Sequence, residues 1–95
     1  MIVKGTTKSG IKYQLDSRIA KDARLVLYLT AAQDTEDPMK ASKALMDLLS
    51  FIFGSQEGVM AFMNEVANKH KGTCLPKDLI TEINDMFEGL NVKNS

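Results

Sequence analysis

The first fifteen positions carry a β-type pattern that ends in strict alternation of apolar and polar residues, and the period then changes. Ile2-Val3-Lys4-Gly5-Thr6-Thr7 is rich in β-branched side chains and Ile11-Lys12-Tyr13-Gln14-Leu15 alternates strictly; both patterns predict strands. Lys8-Ser9-Gly10 lies between them with a glycine able to take positive φ, so the segment 2–15 reads as a β-hairpin. Ile11, Tyr13 and Leu15 would share one face. A two-stranded hairpin is marginal alone in water, so that face must pack on a helix or pair with strands of another copy.

From residue 17 the apolar residues recur at threes and fours. The first helix is predicted to start between Asp16 and Asp22, either of which can cap it, and to run through Ala32. Ile19, Ala23, Val26, Leu27 and Leu29, widened by Arg24, Leu25 and Tyr28, leave little of its circumference polar, which predicts this helix as the centre of the core. Gln33-Asp34-Thr35-Glu36-Asp37 is polar and aperiodic, a loop, and Asp37-Pro38 then supplies a capping oxygen and a proline at the first helical position. Ala41, Leu45, Leu48, Leu49 and Ile52 mark an amphipathic helix ending at Gly54. Ser55 opens a third helix with Val59, Phe62, Met63, Val66 and Ala67, ending near Gly72. Leu75-Pro76 starts a fourth with Leu79, Ile80, Ile83, Met86 and Phe87; Gly89 is expected to end it, leaving 90–95 as a mobile tail. The expected fold is mainly α, of the α+β kind. It is one domain over 1–95, with a hairpin at 2–15 and a compact bundle of about four helices at 17–89.

Composition narrows the function. Ninety-five residues suit one modest core. Twelve basic residues balance twelve acidic ones, and Arg18 and Arg24 are the only arginines, so the electrostatic footprint of a nucleic-acid partner is missing. A neutral chain is prone to self-association. The single Cys74 cannot form an internal disulfide and fits reducing cytosol. No apolar run approaches the roughly 20 residues that span a bilayer, and the start lacks the basic head and long apolar stretch of a signal peptide. The expectation is a cytoplasmic chain that is not exported and has no membrane partner.

Residues for chemistry are few. Gly5-Thr6-Thr7-Lys8-Ser9-Gly10 spaces two glycines like a phosphate loop, but Ile11 and a strand follow where Lys and Ser/Thr should open a helix. His70 and Cys74 make two soft ligands where structural zinc wants four. Asp34, Glu36 and Asp37 lack the spacing and central glycine of a calcium loop. One histidine and no Gly-x-Ser-x-Gly elbow leave acyl transfer without its parts. No catalytic, cofactor-binding or metal residues are expected, and the chain reads as a binding surface rather than an enzyme.

Its methionines fit that reading. Met39, Met46, Met60, Met63 and Met86 are spread over three helices, where thioethers either fill core gaps or form adaptable contact surfaces. Phe51-Ile52-Phe53 at a helix end cannot all face one core. Phe51, Phe53, Met60, Phe62 and Met63 are therefore the candidate partner-binding residues.

The hairpin, the helix carrying Asp22-x-Arg24-Leu25, the helix with Ala44-Leu45-Met46-Asp47-Leu48-Leu49 followed by Phe53-Gly54, the helix closing on Lys71-Gly72 and the terminal Lys93-Asn94-Ser95 together resemble the small tail assembly chaperones of long-tailed phages and prophages of Gram-positive bacteria. The resemblance spans nearly the whole chain. It implies binding and solubilising the long helical tape measure protein and promoting assembly of the tail tube protein around it, with no cofactor. Two rivals remain open: a small structural tail or connector protein of the virion, and a DNA-binding regulator, against which the mixed charges between Gln56 and Lys71 argue.

Overall fold

The computed structural model describes residues 1–34 and 36–94, with side chains described as far as Leu90. Strands β1 (Ile2–Thr6) and β2 (Lys12–Asp16) form an antiparallel hairpin in which Val3 faces Leu15 and Gly5 faces Tyr13. Gly10 takes φ +101° in the turn, which Thr7 closes by hydrogen bonds with Gly10 and Ile11. The inward face is the predicted one, with Ile11, Tyr13, Leu15 and Val3 all buried.

A short 3-10 helix, Ser17–Lys21, leads to α1 (Ala23–Asp34). Sequence left Asp16 and Asp22 as alternative caps for one helix; the chain uses both. The Asp16 carboxylate accepts from the Arg18 amide and opens the 3-10 helix, and Asp22 accepts from the Arg24 amide and opens α1. Helix α2 (Pro38–Phe53) begins on the Asp37 cap and stops at Gly54, φ +73°. Helix α3 (Gln56–Lys69) begins on Ser55, and at its end the Gly72 amide donates to the Ala67 carbonyl.

Helix α4 (Pro76–Asn94) packs against β1, the 3-10 helix, α2 and α3, and it holds the centre of the molecule. Ile83, Met86 and Leu90 expose nothing, and neither do Leu48 and Leu49 of α2 or Val66 of α3. The radius of gyration, 12.6 Å, matches the ~13 Å of a compact chain near this length. Among the described residues no helix is long and apolar enough to cross a membrane.

Two expectations are corrected. Helix α1 is not the core's centre: it packs mainly on α2, burying Leu25 and Ala32, while Val26 and Leu27 are 58% and 68% exposed. Gly89 does not end α4. A Cβ at Gly89 would run into the Tyr13 hydroxyl, and one at Gly5 would meet the same side chain. The two glycines thus form a cradle for Tyr13, and Leu90 continues the buried stripe beyond, so the expected tail is helical through Asn94. Ser95 and the side chains of 91–94, including those of the terminal Lys-Asn-Ser, lie outside the described residues.

Candidate functional site

The candidate contact residues fall into separate groups. Two steps along a helix turn a side chain by about 200°, so Phe51 and Phe53 leave α2 in opposite directions. Phe51 turns toward α1, its ring 6.0 Å from that of Tyr28 and capped by the Arg24 guanidinium at 4.7 Å. Phe53 turns toward α3, with its ring 5.0 Å from that of Phe62. Phe62 is buried and Phe53 and Met63 are partly buried against the core, whereas Met60 is 46% exposed.

What the structure does bring together lies at the α2–α3 corner. On one side a groove of about 200 Å³ runs between β2 and α3, lined by Tyr13, Phe53, Gly58, Ala61 and Phe62, with Lys12 and Glu65 among its polar residues. On the other, a hollow of about 260 Å³ is lined by Met46, Ser50, Ser55, Gln56 and Val59. Met46 and Met60 stand exposed on the two helices that form this corner. The corner exists because Gly54 reverses the chain within two residues, and Gly58 leaves space beside Phe53 that a larger residue would narrow. Such shallow hollows, one of them edged by Met46, suit spaced apolar anchors of a partner rather than an enclosed small molecule.

A second cluster escaped the sequence reading. Glu82, on the buried stripe of α4, is 1% exposed. The Ser9 hydroxyl lies 2.6 and 2.8 Å from its two carboxylate oxygens, and His70 Nε2 lies 3.0 Å from Oε2. The other ring nitrogen of His70 is 3.5 Å from Asp78. Burial pushes the Glu82 pKa up, but the hydrogen bonds from Ser9, Thr7 and His70, with the charge of His70, outweigh it and hold the carboxyl below its ordinary value. Lys8 adds a hydrogen bond and an ion pair from the turn to Asp85. No buried side-chain nitrogen or oxygen among the described residues lacks a partner.

Serine, histidine and two carboxylates are the ingredients of nucleophilic catalysis, but their order differs from a catalytic one. The carboxylate sits between Ser9 and His70, so the imidazole does not face the hydroxyl as a base would. The cluster instead ties the hairpin turn to α4 and to the α3–α4 corner. Its sequence signal was available: Glu82 falls on the stripe of Leu79, Ile83, Met86 and Leu90, where a charged residue requires buried partners.

Elsewhere the charges are local. Asp16 and Asp22 are each held low by hydrogen bonds with an arginine two residues on, Asp22 at about 2. Burial, then the nearby Asp78 charge, pushes the Cys74 thiol up. No group of three or more potential metal ligands occurs among the described residues. No protein-family model, curated protein or solved structure matches the chain.

Proposed function

We propose that this domain is a phage tail assembly chaperone: it binds apolar helical segments of the tape measure protein at the α2–α3 corner, keeps that protein soluble, and releases it as the tail tube assembles. The carrying observation is the exposure of Met46 and Met60 on the two helices flanking the paired hollows. Exposed thioethers beside apolar grooves accommodate varied helical partners, because an amphipathic helix offers anchors at threes and fours and methionine adapts to their shapes. A long client with many such segments would be coated through avidity even where each contact is weak. The sequence resemblance, which covers nearly the whole chain, points the same way.

The test is co-expression with a phage tape measure protein, scoring how much of it stays soluble and co-purifies. Met60→Glu should reduce recovery several-fold while changing stability by no more than about 0.5 kcal/mol, because the side chain is on the surface. An insoluble client beside a soluble wild-type chain would overturn the reading, and retention of the chain in finished particles would favour a structural tail protein.

A further inference from the structure

Helix α1 carries two opposite apolar faces. Leu25, Tyr28, Leu29 and Ala32 turn toward the rest of the domain, whereas Ala23, Val26, Leu27, Thr30 and Ala31 recur at the same threes and fours on the opposite side and are all exposed. Between Arg24 and Asp34 the helix has no charged residue. An outward helix face is ordinarily polar and charged, so this one has the composition of a covered surface.

The ends of the helix indicate what covers it. At the start of α1, Arg24 is taken up by the Asp22 cap and the Phe51 ring; at the other end Asp34 stands in a last turn that holds no base, where the helix dipole disfavours a carboxylate. Exposed Lys21 lies just before the start and exposed Glu36 just beyond the end. Outside the Asp22–Arg24 pair, the exposed charge beside one end of the stripe is therefore basic, Lys21, and beside the other acidic, Asp34 and Glu36. A second α1 laid antiparallel places the acidic end of each helix against the basic end of the other, twice by symmetry, and Val26 and Leu27 against Thr30 and Ala31. A parallel pair would set like charges together.

We propose that the outer face of α1 is the contact between two copies of this chain, packed antiparallel about a two-fold axis near the middle of the helix. This goes beyond client binding and does not rest on it, since the α2–α3 corner stays open. A three-turn stripe is small beside the roughly 1,200–2,000 Å² of a standard interface, so the dimer forms with a dissociation constant on the order of tens of micromolar or weaker.

Sedimentation velocity on the chain alone, from about 10 μM to about 1 mM, should show a monomer–dimer equilibrium. Leu27→Glu should abolish the dimer with the helical circular dichroism unchanged. Asp34→Lys and Lys21→Glu should each weaken it about 3- to 10-fold at low salt, from two symmetric exposed ion pairs, and the double exchange should restore it. The restored pair keeps the test decisive should Leu27→Glu fail to fold. A monomer at every concentration, or a dimer indifferent to these substitutions, would overturn the proposal. Client solubility is read separately by co-expression, so failure of the dimer leaves the chaperone reading standing and the reverse also holds.

Discussion

Helices α1 and α4 invert the usual relation between composition and burial. Helix α1 has two charged residues in twelve, Arg24 and Asp34, yet buries only Leu25 and Ala32. Helix α4 has six in nineteen, Lys77, Asp78, Glu82, Asp85, Glu88 and Lys93, yet supplies Ile83, Met86 and Leu90 to the centre of the core. Phase explains the difference. The apolar residues of α4 fall on one stripe, and its single charge there, Glu82, is met by Ser9 and His70. Those of α1 go round the helix, so only half of them can face α2.

The largest difference between the two helices is expected in the core. Ile83→Ala should cost about 2–5 kcal/mol in urea unfolding, since it empties a fully enclosed site, whereas Leu27→Ala on α1 should cost no more than about 0.5 kcal/mol. Similar losses would mean that α1 is as central as its composition suggests.

The next largest effect concerns the buried carboxylate. Glu82→Gln should cost about 1–3 kcal/mol by weakening a satisfied buried network. The pH dependence has a definite sign. Because the folded pKa lies below the unfolded one, the stabilisation is complete above the unfolded value of about 4.3 and is lost as pH falls through the folded value. Acid unfolding curves of the wild type should therefore show a slope below that pH that Glu82→Gln reduces; identical slopes would assign acid sensitivity to other carboxylates.

The smallest effect tests the cradle. Gly89→Ala should gain up to about 1 kcal/mol of helix propensity and lose about 1–3 kcal/mol against the Tyr13 hydroxyl, a net loss that Tyr13→Phe should lessen. Additive effects in this double-mutant cycle would show that the two side chains do not meet.

These contrasts also separate what was legible in the sequence from what was not. The hairpin, its inward Ile11, Tyr13 and Leu15, and the start and stop of α2 follow from local rules: alternation, a capping aspartate before proline, and a left-handed glycine. The position of α1 and the end of α4 were misread because both depend on distant residues. Nothing near Gly89 announces that Tyr13 occupies its side, and no local pattern tells which face of α1 meets α2. The candidate site was legible as residue types rather than as a surface. Helical phase separates Phe51 from Phe53 and leaves Phe62 inside, so the exposed edge is carried by Met46 and Met60.

The tie between Ser9 and Glu82 joins residues 73 positions apart, and that separation sets an order of events during synthesis. The hairpin leaves the ribosome well before the helix that backs it and the carboxylates that hold its turn. At about 5–20 residues per second this interval is roughly 4–15 s, during which two short strands with open edges have no apolar backing. A domain read as guarding another protein from aggregation thus passes through its own unguarded period each time it is made.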